Sequence, residues 1–553
     1  MKRGRTPFPQ WKRGASPFHA ALALAAMLAA CAALAGCGGD ADDATLRELR
    51  RGNGSEPDSI DPQLARMEAA MTILRDCYEG LVSMDRSGAA VAGVAEGWTV
   101  SDDGRRYAFR LRADARWSNG DRVVAEDFVA AWRRLVDPAT ASQYALMLEP
   151  VANATDIVAG RQPAESLGVS APDEATLVVD LSEPSPYFLA MLSHPSTFPV
   201  HRPTLAANPK EFARPGIAVT NGAFVPAEWA IGSHIRATRN PRYWNDAATT
   251  LDAVRYVHVA DPATELTRFR AGDLDVTYTV PPGEVVRLGQ ALPGQLHVAA
   301  TVGVYYYGFA LDLPPFRDAP KLRRALAMAV DREVLATQVL GDGERPAYGW
   351  VPPGIAAYEP QRFDWAGLDA AARIATAKRL YAEAGYSAAR PLRVELRTSK
   401  SPLHDRIALA VTAMWKQHLG AEVSLRSEDF RVLKAAIDAR EAPLFRGSWI
   451  GDYNDAYSFL QVLKGGFGIN LPRYASDPYD VALAMAAVAE GAGRATYLAA
   501  AERQLLADVP LIPLYFYVSK HLVAPRVEGW YDNVMNVTYS KDLAVGTSQE
   551  PKP

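Results

Sequence analysis

The sequence predicts an α/β protein with more than one domain. Residues 391–451 alternate between short apolar strand patterns and helix patterns, and such alternation is typical of parallel strands joined by helical crossovers. The chain has 553 residues, more than one ordinary hydrophobic core accommodates. Its composition of 49% hydrophobic and 22% charged residues is typical of a globular protein.

The first half of the chain is dominated by strand and turn patterns. "RRYAFRLRADARWSNGDRV" (105–123) alternates apolar and polar positions and then reaches turn residues, so it predicts a strand. "AEDFVAAWRRLVDP" (125–138) predicts a helix with an acidic start. "PDEATLVVDLSEPSPYF" (172–188) predicts a strand followed by a loop. "TNGAFVPAEWAIGSHIRATRNPRYW" (220–244) predicts antiparallel strands joined by turns at Asn221-Gly222 and Ile231-Gly232.

The second half is more regular. Helix patterns, several with a glycine near the end, cover 319–341, 371–386, 403–420, 430–441 and 494–510. Strand patterns cover 391–398, 421–427, 442–451 and 511–518. The order strand, helix, strand, helix, strand between 391 and 451 predicts parallel crossover connections in one sheet.

The N-terminus has the pattern of an export signal. Five basic residues precede an apolar run from Ala20 to Leu34, and "LAGC" ends at Cys37. A charged start, a short apolar core and small residues before a cleavage point are typical of a signal peptide, here residues 1–36. "LAGC" resembles the lipobox of bacterial lipoproteins, so we expect Cys37 to carry lipid; the alternative is an ordinary signal peptide. Several acyl chains on one residue give stable membrane anchoring.

Charge and cysteine content exclude some classes of function. Removing residues 1–36 takes away five positive and no negative charges, which moves the formal net charge from −4 to −9. An acidic mature chain argues against nucleic acid as a partner. Only Cys77 remains as a thiol after processing, so we expect no disulfide and a buried Cys77.

The motifs of common enzymes are absent from the sequence. None of the nine histidines precedes a glutamate, and there is no nucleophile elbow, phosphate loop or dinucleotide fingerprint. No cysteine or histidine cluster has metal-ligand spacing. We therefore predict no catalytic residues, no metal site and no cofactor.

Asp452 is the most informative candidate residue. In "LFRGSWIGDYNDAYSFLQ" (444–461) it lies between Trp449 and Tyr453, just beyond a predicted strand. An unpaired carboxylate among aromatic rings is costly, and the crevice beyond strand carboxyl ends favours ligands. The alternative is a helix cap, although Asp455 is better placed for that role.

Several stretches together resemble the oligopeptide-binding proteins of ABC importers. They are "RGNGSEPDSIDPQ", "LRDCYEGLVSMD", "ARWSNGDRVVAEDFVAAWRRLVDPATASQYA", "LSEPSPYFLAMLSHPSTFPV", "TNGAFV", "RNPRYWNDA", "GDLDVTY", "YYYGFAL", "LHDRIALAVTAMWKQHLG" and "WIGDYNDAYSFL". The resemblance covers nearly the whole mature chain. It points to solute-binding protein family 5, near the oligopeptide and murein tripeptide-binding proteins.

The resemblance implies a periplasmic-binding-protein fold with two lobes, a hinge between them and an additional small domain. Domain I would comprise 37–79, 200–302 and 520–547, domain II 80–199, and domain III 303–519. A peptide would lie extended between the lobes and hydrogen-bond through its main chain, with its side chains in hydrated pockets.

The resemblance also implies roles for individual residues. Asp452 matches the carboxylate that meets the ligand's α-ammonium, while Arg446 and His404 match residues that meet its C-terminal carboxylate. Ser448 and the segment around Glu68 match positions whose main chain pairs with the peptide. The matching aromatic positions, each of which could instead be core, are Tyr144, Tyr306, Trp449 and Tyr517, with Phe430 where a pocket tryptophan is expected.

This chain departs from the family at four positions. A cystine found in some members would link Gly303 and Ile450 and is absent here. A lysine that serves longer peptides is replaced near Leu340, and an acidic residue near the ligand's second side chain is replaced by Arg66. These differences affect the preferred peptide length and side chains, and they leave main-chain recognition intact.

The sequence therefore predicts a monomeric extracytoplasmic lipoprotein that captures short peptides and delivers them to the permease subunits of an ABC importer. We expect it in the cell envelope, held at the membrane through Cys37. The alternatives are the same fold with a more specific ligand, such as murein tripeptide, a dipeptide, a metal chelate or a glycan, and a peptidase.

Overall fold

The computed structural model describes residues 46–466 and 469–546, and from Arg47 onward they belong to one compact unit. The predicted signal peptide and Cys37 lie outside the described residues. Within those residues, helices and strands mix as predicted. No helix in this part of the chain is both long and apolar enough to cross a bilayer.

The largest sheet has six strands and contains the predicted crossovers. In spatial order its strands are Arg345–Pro346, Leu511–Leu522, Leu296–Phe309, Leu444–Ile450, Arg393–Ser399 and Glu422–Glu428. The strand Arg393–Ser399 runs parallel to both Leu444–Ile450 and Glu422–Glu428. The helices Pro402–Leu419 and Phe430–Asp438 connect these strands, so the predicted parallel connections are confirmed.

Two smaller sheets have four strands each. One contains, in order, Glu48–Gly52, Ala253–Val257, His234–Arg239 and Phe224–Ala230. The other contains Ala95–Val100, Arg106–Leu111, Thr176–Asp180 and Val169–Ser170. Short two-stranded pairings join Val82–Met84 with Ala90–Ala92 and Val527–Glu528 with Ala544–Val545.

The α-helices cover both halves of the chain. They are Glu68–Cys77, Ala125–Val136, Ala154–Val158, Phe188–Met191, Arg202–Ala207, Pro262–Arg270, Val285–Ala291, Pro320–Met328, Arg332–Val334, Ala370–Glu383, Pro402–Leu419, Phe430–Asp438, Tyr457–Leu460, Asp477–Val488 and Gly491–Asp508. Gly420 ends its helix with a φ of 71°, a conformation that glycine adopts without steric cost.

Two local predictions are wrong. The turn at Asn221-Gly222 does not join two strands, because no strand precedes it. Instead the Asn221 side chain is buried and bonds both backbone groups of Glu79. The predicted helix 319–341 is interrupted after Met328, since Asp331 accepts a hydrogen bond from the Val334 N–H and so caps a new helical segment.

The two faces of the six-stranded sheet carry different hydrophobic clusters. Tyr305 and Tyr307 point into one cluster, while Val304 and Tyr306 point into the other, as the alternation of a strand requires. A separate cluster joins residues 49–256 with residues 523–545. The boundaries predicted at 79/80 and 199/200 pass through this last cluster, and the three-domain division remains a prediction. Cys77 is buried there, as predicted.

Two long antiparallel strands connect these regions. Leu296–Phe309 and Leu511–Leu522 pair along most of their length, but their register is interrupted between Ala300 and Val304. Leu296 and Leu522 pack with the small cluster around Leu288, whereas Val304 and Phe516, beyond the interruption, pack in a cluster on the other part of the sheet. The ladder is disrupted locally at the interruption, so we expect the predicted hinge there.

Glu502 organises the loop that packs beside the six-stranded sheet. Its buried carboxylate accepts hydrogen bonds from the N–H groups of Trp350, Val351 and Gln361 and from the Tyr358 hydroxyl, at 2.5–2.9 Å. Burial raises the pKa of Glu502 to about 7. The loop around residues 350–361 therefore depends on one acidic side chain for its backbone hydrogen bonds.

We predict that Glu502→Ala destabilises the protein by about 3–5 kcal/mol, because several buried donors lose their acceptor at once. Calorimetric unfolding measures the effect. Glu502→Gln keeps one acceptor oxygen and is expected to cost less than the alanine variant. An unfolding temperature of Glu502→Ala equal to that of the wild type contradicts this role.

Candidate functional site

Asp452 lies just beyond the carboxyl end of the strand Leu444–Ile450, as predicted. The preceding Gly451 donates its N–H to the Val302 carbonyl oxygen at 2.7 Å, and the Asp452 N–H donates to the Ser458 hydroxyl at 3.1 Å. Val302 belongs to the interrupted part of the long strand. The backbone of Asp452 is therefore fixed beside the interruption in the long strands.

The carboxylate of Asp452 has no counter-charge in the described part of the chain. Burial raises its pKa to about 6, and burial is the cause of this shift. The neighbouring Tyr453 is fully buried. A carboxylate in such a place is costly to ionise until a cation or a hydrogen-bond donor reaches it.

Asp455, by contrast, is satisfied by the protein itself. It pairs with both terminal nitrogens of Arg494 at 2.8–2.9 Å, and it accepts the Tyr457 N–H at 2.8 Å where the helix Tyr457–Leu460 begins. The capping role thus belongs to Asp455, which leaves Asp452 free for another partner.

The strand before Asp452 has an open backbone edge. All seven of its residues pair with Leu296–Phe309 on one side. On the other side, only Leu444 and Phe445 pair with Arg393–Ser399. Residues 446–450 therefore present backbone groups on that side without a strand partner among the described residues, and an extended chain can hydrogen-bond there as an added strand.

Arg446 and Ser448 lie on the sheet face that Tyr305 occupies, since Ser448 is directly opposite Tyr305. The Arg446 guanidinium sits over the Tyr305 ring, 4.7 Å from its centroid, and one terminal nitrogen donates to the Tyr517 hydroxyl at 3.4 Å. Its Nε is buried without a hydrogen-bond partner. Arg446 thus supplies a cation, with no carboxylate partner among the described residues, six positions before Asp452.

His404 belongs to the same group as Arg446. Its Nδ1 lies 3.4 Å from the Tyr305 hydroxyl. Burial, with the nearby charge of Arg446, lowers the pKa of His404 to about 4. His404 is therefore neutral at pH 7, and Arg446 carries the positive charge of this group.

Tyr144 lies within the range at which the charges of both Asp452 and Glu68 act on it. Burial raises the pKa of Tyr144, and the charges of Asp452 and Glu68 raise it further, which they can do only from short range. The Tyr144 ring packs against His194 with 4.2 Å between centroids. Glu68 begins the helix Glu68–Cys77 and pairs with Arg75 at 2.8 Å.

Three predicted aromatic residues lie apart from this face. Trp449 donates its indole N–H to the Ser458 carbonyl oxygen at 2.8 Å and packs against the opposite cluster. Tyr306 is buried in that cluster, 5.2 Å from the Trp350 ring. Phe430 is 62% exposed at the start of its helix. Their contact with a ligand stays a prediction.

The structure shows the surroundings of the four positions at which this sequence differs from the family pattern. Gly303 and Ile450 are opposite each other, and a Cβ at position 303 would lie 2.6 Å from the Ile450 side chain. Arg66 pairs with Asp58 at 2.9 Å, and Leu340 is buried.

Sequence reasoning missed Tyr187, whose ring stacks on those of Tyr453 and Tyr457. It lies in a proline-rich segment more than 260 positions before Asp452, and nothing in the local pattern signals that contact. Among the residues that the structure describes, no group of three or more histidine, cysteine or acidic side chains is arranged to hold a metal ion.

Comparisons with known proteins agree on one family. The model of bacterial extracellular solute-binding proteins, family 5 middle, matches residues 89–470. The periplasmic oligopeptide-binding protein OppA of Escherichia coli K12 is 36% identical over 91% of this chain and 93% of its own. The probable deoxycholate-binding periplasmic protein YgiS of the same organism is 38% identical over 90% and 93%.

A solved structure supports the same assignment. The unliganded open form of MppA, a periplasmic murein tripeptide-binding protein, has a TM-score of 0.82 and 33% sequence identity. The match covers 91% of this chain and 98% of MppA. The fold is thus the two-lobed α/β fold of periplasmic binding proteins, and its relatives are solute-binding proteins rather than enzymes. The chain belongs to the bacterial extracellular solute-binding proteins of family 5.

Proposed function

We propose that this protein captures short peptides through their main chain and free amino end and delivers them to an ABC importer. One observation carries the proposal: a partly buried carboxylate without a counter-charge among the described residues, Asp452, stands at the end of a strand whose backbone edge is open. An extended peptide can use both features at once. The names of OppA and MppA, which are similar to this protein, describe them as peptide-binding proteins.

The ammonium group of the peptide provides what Asp452 lacks. A buried charge that is costly alone becomes favourable when an opposite charge with hydrogen bonds reaches it. Tyr144, whose pKa responds to the charge of Asp452, can line the position of the first peptide residue. The N-terminus then sets the register of the peptide along the strand.

The open edge supplies binding that does not depend on sequence. Every peptide presents the same N–H and C=O groups to residues 446–450, including Ser448. Side chains on the peptide then point alternately to the two faces of the sheet, where bridging water can adapt to different shapes. Tolerance of many side chains follows from this mode of binding.

The other end of the site suits a carboxylate. Arg446 is held by Tyr305 and Tyr517, and neutral His404 can donate a hydrogen bond or take up a proton when an anion arrives. A peptide whose C-terminus reaches this group gains a second charge pair. Longer peptides do without that pair and keep the ammonium site.

The cellular setting follows from the N-terminal sequence. Cys37, once processed and lipid-modified, anchors a monomeric receptor at the membrane in the cell envelope, facing permease subunits. The acidic mature chain makes nucleic acid an unsuitable partner.

Replacing the carboxylate tests the amine site. We predict that Asp452→Asn weakens binding of trialanine by at least about 100-fold, because a charge-assisted pair is lost at a desolvated position. Acetylation of the peptide's amino end is expected to have the same effect on the wild-type protein. Calorimetric titration measures both, with Asp438→Asn as a surface control that keeps normal affinity. Tight binding of the acetylated peptide refutes the proposal.

The pH dependence of binding follows from the pKa of Asp452. Below about pH 6 the carboxylate gains a proton, so affinity for trialanine falls by up to about tenfold per pH unit. Glu68 is paired with Arg75, and Tyr144 stays neutral because its pKa is raised. In the Asp452→Asn variant the affinity, already low, is expected to be flat in this range.

The ligand-free protein is expected to show the opposite trend. Because folding raises the pKa of Asp452, its stabilising effect is present below the unfolded pKa and is lost as the pH rises through about 6. Asp452→Asn should therefore be about 1–2 kcal/mol more stable than the wild type at pH 7.5, and equal to it near pH 4.

The nature of the ligand separates the proposal from its alternatives. We predict that the protein purified under mild conditions carries a mixture of short peptides, which native mass spectrometry resolves as many masses. A single mass indicates a dedicated ligand such as murein tripeptide, a dipeptide, a metal chelate or a glycan. Cleavage of an added peptide during long incubation indicates a peptidase.

A further inference from the structure

Tyr187 forms an aromatic stack directly behind the Asp452 loop, defined as residues 451–456. Its ring lies nearly parallel to that of Tyr457, with 4.4 Å between centroids and 13° between planes. It also lies nearly parallel to Tyr453, at 5.6 Å and 11°. Tyr453 follows Asp452 in the chain, and Tyr457 comes just after the loop, so one ring contacts both sides of it.

The remaining contacts of the loop fix its backbone. Asn454 donates its side-chain N–H to the Gly88 carbonyl oxygen at 3.2 Å and accepts the Ala356 N–H at 3.1 Å. Arg494 holds Asp455. None of these bonds reaches the carboxylate of Asp452, so they restrain the loop without neutralising its charge.

Tyr187 and Gly88 come from a different part of the chain than the loop does. Both lie within residues 80–199, whereas the loop follows a strand of the six-stranded sheet. Tyr187 is half-buried, while Tyr453 is completely buried beneath it. Removing the Tyr187 ring would expose one face of Tyr453 and admit water next to Asp452.

We propose that Tyr187 is a positioning residue for the ammonium site: it packs against Tyr453 and Tyr457, and so it limits the access of water to the partly buried Asp452 carboxylate and keeps it aimed at the amino end of the ligand. It acts through the loop and does not touch the ligand. The inference rests on the proposed function, because it assigns Tyr187 to the same site.

The test compares Tyr187→Ala with Tyr187→Phe. Titration of trialanine between pH 4 and 8 gives the affinity of each variant and the pH at which binding is half lost. We expect Tyr187→Ala to bind about tenfold more weakly at neutral pH. The pH at which this variant loses half of its binding should move from about 6 toward about 4, which is the pKa of an ordinary aspartate. Tyr187→Phe keeps the ring and is expected to restore both properties.

A merely structural role gives a different result. If Tyr187→Ala weakens binding equally at every pH, with the half-loss point unchanged, the positioning role is overturned. Tyr386→Ala removes a ring that packs on Tyr381 instead of the loop, and it controls for the general effect of losing an aromatic pair. This control is expected to leave affinity and pH profile unchanged.

A measurement without ligand separates this inference from the proposed function. Carbon-13 NMR of aspartate carboxyl groups, assigned with Asp452→Asn, follows the titration of Asp452 in the free protein. We expect the midpoint to fall in Tyr187→Ala and to stay in Tyr187→Phe. An unchanged midpoint in Tyr187→Ala overturns the inference whether or not peptides bind. Failure of the wild type to bind trialanine, with a shifted midpoint, overturns only the proposed function.

Discussion

The unsatisfied carboxylate of Asp452 is the constraint on which the rest of the site depends. The arginine that contacts the same loop is already paired, because Arg494 holds Asp455. A chain with 59 basic residues has many ways to neutralise one buried acid, and none of the described residues does so. The uncompensated charge of Asp452 lowers the folding stability of the protein, as is common at ligand-binding sites.

The location of Asp452 links recognition to motion. The loop is joined to the long strand by the hydrogen bond from the Gly451 N–H to the Val302 carbonyl oxygen. Val302 lies where the register between the two long strands is interrupted. On the proposed function, an ammonium group bound by Asp452 would restrain the segment at which we expect the lobes to turn. Energy gained at the amino end is therefore available to favour the closed form, since a ligand shifts a conformational equilibrium only by its differential affinity for the two states.

The sequence predicted the crossovers of the six-stranded sheet because their signals are local: apolar alternation, helix caps and glycine stops lie within a few residues of each element. It also predicted the position of Asp452 beyond a strand. It could not predict on which sheet face Tyr306 lies, because that depends on strand register, nor the hydrogen bonds that join Asn221 to Glu79. The stack of Tyr187 on Tyr453 needs tertiary structure, since the two residues are far apart in sequence.

The distance between Arg446 and Asp452 limits the length of peptide that could contact both charged side chains. Arg446 and Asp452 are six positions apart along the chain, so their Cα atoms are at most about 22 Å apart. An extended peptide of the same reach has about six residues, and only peptides of that length or shorter can engage both charges. In the proposed binding mode, longer peptides would extend past Arg446 and be held by Asp452 and the open strand edge. A receptor built in this way would discriminate strictly for a free amino end, because recognition of that end depends on the single charge of Asp452. It would discriminate only weakly for peptide length, because long ligands can bind without the contact to Arg446.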